Sequence, residues 1–127
     1  MGSKQLQFYR CKHCGNIIIK VVDSKVPVVC CGEKMEELIP ASVDAAVEKH
    51  VPVITRDGNL VSVSVGSVAH PMIEEHFIQF VILETNAGIQ IAELHPDDEP
   101  KAVFEIVSGA EVIKAYAYCN LHGFWAS

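Results

Sequence analysis

Val53-Ile54-Thr55-Arg56-Asp57-Gly58-Asn59-Leu60-Val61-Ser62-Val63-Ser64-Val65 decides the fold of most of this chain. Valine and serine alternate from Val61 to Val65, a period of two that sends one set of side chains to a buried face and the other toward solvent. Asp57-Gly58-Asn59 interrupts the apolar runs with turn chemistry and predicts a β-hairpin. Working outward, further strands are predicted at Ile17–Val22, Phe77–Glu84, Ile89–Leu94, Val103–Val107 and Val112–Tyr118. Turn clusters at Asn86-Ala87-Gly88, His95-Pro96-Asp97-Asp98 and Ser108-Gly109 separate several of them. Only Val43–Lys49 reads as helical. Strands at this spacing predict an all-β chain built around a small β-sandwich or barrel.

Composition narrows the function classes. The chain has 127 residues and a net charge of −6 from 10 basic and 16 acidic side chains. That balance argues against nucleic acid or an anionic membrane as a partner, and an anionic substrate would need a local positive patch. The apolar stretches are too short for a transmembrane helix. Residues 1–10 are polar and lack an apolar signal core, which predicts a cytoplasmic protein.

Four of the five cysteines fall in the first 31 residues, as Cys11-Lys12-His13-Cys14 and the adjacent pair Cys30-Cys31. A two-residue gap lets two sulfurs reach one ion from a tight loop, and two such pairs make a four-thiolate cage. Vicinal cysteines share an ion only if their side chains splay, so a distorted site is expected. Two disulfides, or buried cysteines acting as small hydrophobes, are the alternatives. A reducing cytosol favours metal, and soft sulfur donors point to iron or zinc. This segment is expected to span residues 1–38, with Pro40 at the join and a second domain over 39–127. So short a domain buries little apolar surface, and a metal would staple it.

The larger domain carries a second set of donors. Cys119-Asn120-Leu121-His122-Gly123 offers a thiolate and an imidazole from one turn. His70-Pro71-Met72 and His76 lie where proline favours a loop, and that loop must fold to bring both rings together. Glu48-Lys49-His50 closes the helical stretch just before a strand. Each histidine alone is better explained as a surface or hydrogen-bonded residue than as a ligand; their company with Cys119 suggests a second metal site. His13, between two cysteines, and His95, in an acidic turn, are read as exposed and not as ligands.

Taken together these motifs resemble the desulfoferrodoxins, the two-iron class of superoxide reductases, over essentially the whole chain. The resemblance implies a desulforedoxin-like domain holding iron on Cys11, Cys14, Cys30 and Cys31. It implies an immunoglobulin-like β-barrel or sandwich holding a second iron on His50, His70, His76 and His122, with Cys119 as axial thiolate and a sixth position open. Superoxide would be reduced there to hydrogen peroxide. Lys49 would attract the anion and position a proton-donating water, and Glu48 would occupy the sixth position in the oxidised state. An external donor such as a rubredoxin-like protein would supply electrons, and the protein would be a homodimer. Some members carry glutamate two residues before the axial cysteine, where this chain has Ala117.

Three other readings compete with a reductase. One is an electron-transfer iron protein without superoxide turnover, another a zinc-stabilised binding module, and the third a dismutase. An axial thiolate favours the ferric state, which disfavours the dismutase.

Overall fold

The computed structural model describes residues 6–42, 50–66 and 69–127. The chain divides into two units, residues 1–39 and 40–127. In the first, β1 (Gln7–Arg10) lies between β2 (Ile17–Lys20) and β5 (Glu36–Leu38) in an antiparallel sheet. A short hairpin pairs β3 (Val29–Cys30) with β4 (Glu33–Lys34). Among the described residues, the buried apolar side chains of this unit are Phe8, Cys11 and Met35. So small a core leaves stability to be found elsewhere, and the cysteines are the available cross-link.

The strand predicted over Ile17–Val22 stops at Lys20. The Lys20 ammonium donates to Asp23 Oδ1 and to the Val26 carbonyl, both at 3.0 Å. These bonds gather the following loop around the lysine, Lys25 adopts a φ of 69°, and Val21 and Val22 are left exposed.

The second unit contains β6 (Pro52–Asp57), β7 (Leu60–Val65), β8 (Ile78–Thr85), β9 (Gly88–Glu93), β10 (Lys101–Glu105), β11 (Val112–Cys119) and β12 (Gly123–Ala126). A three-stranded sheet of order β10-β7-β6 and a four-stranded sheet of order β12-β11-β8-β9 share one core. This is an immunoglobulin-like sandwich. The Val/Ser alternation behaves as its period dictates: Val61, Val63 and Val65 are buried, and Ser62 and Ser64 less so. Opposite them lie Val81 and Leu83 of β8 and Ala115, Ala117 and Cys119 of β11. The three β11 positions alternate along the strand, so the same face that supplies core alanines also carries the Cys119 sulfur.

The described residues contain no helix. The predicted helix at 43–49 lies outside the described residues, as do Glu48 and Lys49 within it. The strand predicted at Val103–Val107 begins and ends two residues earlier, at Lys101–Glu105. The Ile106 N–H still donates to the Asn59 carbonyl at 2.8 Å, in register with β7, but Asn59 already belongs to the hairpin loop, so the partner strand ends there and Val107 faces solvent.

Asp57 pairs with Leu60, so Gly58 and Asn59 form a two-residue hairpin loop. Gly58 has a φ of 61°, the left-handed value required at the first central position of a type II′ turn. A Cβ there would meet no atom within 4 Å, so the penalty of a side chain is purely conformational. Gly58→Ala is therefore expected to destabilise the sandwich by about 1 kcal/mol, read as a lower denaturant midpoint. Asn59→Ala, at a position without positive φ, should move the midpoint much less.

Candidate metal centres

Cys11 and Cys14 flank a tight knuckle. The Cys11 N–H donates to the Asn16 carbonyl at 2.9 Å, and the Gly15 N–H donates back to the Cys11 carbonyl at 2.8 Å. The other pair sits on the β3–β4 hairpin, where Cys30 is opposite Glu33 and the two loop residues are Cys31 and Gly32. Both have positive φ, 53° and 77°, the signature of a type I′ turn. In an extended strand adjacent side chains point to opposite faces. The left-handed backbone at Cys31 breaks that alternation, and this is how neighbouring cysteines direct their sulfurs to one place. A left-handed residue with a Cβ costs roughly 1–2 kcal/mol, strain that the hairpin retains at its functional corner.

The four sulfurs lie within 4.8 Å of one another, with Cys14 and Cys30 Sγ 3.6 Å apart. Thiolates about 2.3 Å from a tetrahedral ion are separated by about 3.8 Å, so the cluster has the size of a four-sulfur metal site. No cysteine is in a disulfide. The Asn16 N–H reaches Cys14 Sγ and its carboxamide reaches Cys30 Sγ, at 3.5 and 3.7 Å. His13 stands outside the group, its ring 3.1 Å from Glu33, which also pairs with Lys12 at 3.3 Å.

The acid–base chemistry of the cluster favours a cation. Cys11 is pulled down to about 6, chiefly by the Cys14 backbone N–H. Cys31 is pushed up to about 12 by thiol hydrogen bonds with Cys11, Cys14 and Cys30, and Cys30 is also raised, chiefly by Cys14. A first thiolate forms readily because its neighbours donate to it. Further negative charge in so small a space is resisted until a cation arrives.

In the second unit the donors of His50, His70, His76, Cys119 and His122 also lie within 4.8 Å of one another. The imidazoles form a closed ring: centroid separations are 4.7 Å for His50–His70, 4.8 Å for His70–His76, 5.0 Å for His76–His122 and 4.9 Å for His122–His50. Each neighbour is turned steeply to the next, by 64° to 83°. His50 Nε2 and His122 Nδ1 are 3.2 Å apart. Two nitrogens on one ion at about 2.1 Å, at right angles, would be about 3.0 Å apart. Cys119 Sγ lies 3.8 Å from His122 Nδ1 and is fully buried. His70 Nδ1 is 2.7 Å from the Pro71 carbonyl, which holds the proton on that nitrogen and leaves Nε2 to face the ring. Burial is graded, with His50 and His70 buried, His76 intermediate and His122 exposed. Nitrogen and sulfur donors in this number and spacing fit a transition metal such as iron.

Several elements place the ring. His76 is held by a tight turn in which Ile73 and His76 exchange both backbone hydrogen bonds at 3.0 Å, so the 70–76 loop folds back on itself. Gly123, at a φ of 88°, starts β12 opposite Cys119 and brings His122 over the sulfur. Two neighbours were not singled out from the sequence. Trp125 stacks on His50 at 4.7 Å and 14°. Its place two residues beyond Gly123 puts it on the Cys119 face of the sheet, a relation that period-two alternation would have given. Asn120 bonds to the chain on either side of His76. His95 lies apart, 3.6 Å from Asp98. The described residues include no carboxylate in either donor group.

Comparison with known proteins agrees with this picture. The desulfoferrodoxin family model matches residues 42–127, and the model for the desulfoferrodoxin N-terminal domain matches residues 3–38. A desulfoferrodoxin homolog of Archaeoglobus fulgidus is 45% identical over 122 residues, covering 96% of each chain. The crystal structure of the superoxide reductase from Treponema pallidum superposes with a TM-score of 0.87 at 36% identity, covering 98% of this chain and 99% of that one. The superoxide reductase (1Fe-SOR) from Giardia intestinalis matches at a TM-score of 0.55 and 33% identity, covering 63% of this chain and 95% of its own.

Two outcomes are expected. Metal must displace protons from thiols whose acidity is suppressed, so affinity at the four-cysteine cluster should fall as pH drops from 8 to 6, measured by chelator competition. Unchanged affinity would mean that these thiols are not the ligands. Trp125 is the sole tryptophan, and an open-shell ion beside its stacked partner His50 should quench its emission. Ferrous iron should quench it strongly and closed-shell zinc weakly; equal responses would place the ion elsewhere.

Proposed function

The chain belongs to the desulfoferrodoxin family, and on that premise we propose that it is a superoxide reductase holding two irons. The first would sit on Cys11, Cys14, Cys30 and Cys31, the second on His50, His70, His76, His122 and Cys119. One observation carries this reading: four imidazoles closed in a ring against a fully buried thiol. Five donors of this kind leave an octahedral ion one position short, where a small oxygen species can enter. When bound, ferrous iron supplies the electron that, with two protons, converts superoxide to hydrogen peroxide.

The chain's own groups set the conditions. Cys119 belongs to the apolar core cluster, so its thiolate is kept from water and its electron density is directed at the metal. The Pro71 carbonyl orients His70, and stacking against Trp125 orients His50. The exposed edge at His122 gives solvent protons a route to the ring. We assign Lys49 to drawing the anion in and positioning a proton-donating water, and Glu48 to closing the sixth position in the oxidised state. Both precede His50 directly in the sequence. Residues 40–127 hold twelve acidic and only four basic side chains, so a cation beside the site has an outsized effect on an anionic substrate.

Electrons are taken to come from a rubredoxin-like or similar one-electron carrier. The setting is taken to be the cytoplasm, where all five cysteines stay reduced, and the role to be superoxide detoxification. A homodimer is supported by exposed apolar residues such as Ile91 on edge strand β9.

The reduced, iron-loaded protein should yield one hydrogen peroxide per superoxide and no oxygen. Equal peroxide and oxygen would indicate a dismutase, and no turnover by fully loaded protein an electron carrier. Lys49→Ala should lower the second-order rate constant for superoxide by about tenfold or more and weaken its dependence on ionic strength. An unchanged rate would remove the role assigned to Lys49.

A further inference from the structure

We propose that Asn120 is the positioning residue that sets His76 against the Cys119–His122 turn, an inference that rests on the five-donor site proposed above. The β8–β11 ladder ends with Cys119 opposite Ile78. One step further, the Asn120 N–H donates to the Phe77 carbonyl at 3.2 Å. The Phe77 N–H has no β11 carbonyl to meet and donates instead to Asn120 Oδ1 at 2.9 Å. The same carboxamide donates through Nδ2 to the Glu75 carbonyl at 3.1 Å.

The side chain thus grips the backbone immediately before and immediately after His76. Its two ends are not interchangeable, because one faces an N–H and the other a carbonyl. Its own backbone lies between the thiolate donor Cys119 and the imidazole donor His122. Three ligands from two distant segments are therefore referenced to one carboxamide. Without it, the Ile73 turn and the single backbone bond from Asn120 to Phe77 remain, but the Glu75 carbonyl and the Phe77 N–H on either side of His76 lose their tie to the Cys119–His122 turn. Groups that orient ligands in this way act on metal affinity and on the electronic character of the site.

The test compares wild type, Asn120→Ala and Asn120→Asp as full-length protein. Ferrous iron is titrated against a chromophoric chelator while Trp125 emission is followed. The thiolate-to-iron charge-transfer band is then recorded after oxidation. Asn120→Ala should weaken iron binding at the histidine ring about 10- to 100-fold and shift the band, with the four-cysteine site loading as in wild type. Asn120→Asp keeps the acceptor for Phe77 but loses the donor to Glu75, and should fall between the two. Wild-type affinity and band in both variants would overturn the inference. So would lower stability accompanied by an unchanged band and unchanged affinity in the folded fraction, since that is a merely structural role. Wild type that takes up no iron at the ring would overturn the site assignment itself, a failure visible before any variant is compared.

Discussion

The antiparallel pairing of β8 with β11 is the constraint on which the second unit's chemistry depends. In such a pair the start of one strand adjoins the end of the other. The segment leading into β8 carries His70 and His76, and the turn leaving β11 carries His122 three residues after Cys119. Residues far apart in sequence are thereby delivered to one end of the sandwich. The register shift between Tyr118 and Cys119 falls at that end, where a bulge re-aims side chains beside a site. His50 arrives by a different route, just ahead of β6, with the Val51 carbonyl accepting from the Gly66 N–H at 3.2 Å.

Much of this was legible in the sequence because it follows local rules. The Val61–Val65 alternation and the Gly58 turn identify a half-buried hairpin without reference to anything distant. The spacing of Cys11 and Cys14 announces a knuckle. The histidine ring obeys no local period. His70 and His76 meet through a turn, Ile73-Glu74-Glu75-His76, that contains neither glycine nor proline and owes its shape to paired backbone bonds. The company of these histidines with Cys119 suggests a second metal site, but the full five-donor set comes in advance only from the resemblance to a family. The ends of β2 and β10 were misplaced for a similar reason. Val21, Val22 and Val107 have strand propensity, but the Lys20 ammonium gathers the chain after it into a loop, and β10 runs out of partner strand at the Gly58-Asn59 turn.

The adjacency of Cys30 and Cys31 shows how backbone conformation replaces spacing. Two residues on an extended chain cannot serve one ion, and a longer gap is the usual remedy. Here the hairpin loop begins at the second cysteine, and its left-handed φ does the work of the missing residues. The strain is tolerable because Gly32 takes the other positive φ at no steric cost. Among the described residues this unit buries few apolar side chains, so a metal on its four cysteines would act first as a structural device.

That contrast bears on which centre handles substrate. Four thiolates complete a tetrahedron and leave no position for an incoming ligand, so the first site is restricted to structure and to outer-sphere electron transfer. Cys14 and Cys31 are exposed, which suits the second of those roles. The histidine ring differs in both respects. Its soft donor is buried in an apolar core, its nitrogen donors become progressively more exposed toward His122, and its donor count stops one short of an octahedron. A centre meant only to relay electrons gains nothing from an open position, and water or oxygen at that position would be a liability. The graded burial is instead what inner-sphere reduction of a small anion would require: a sulfur kept dry in the core at Cys119 and an imidazole edge open to solvent at His122.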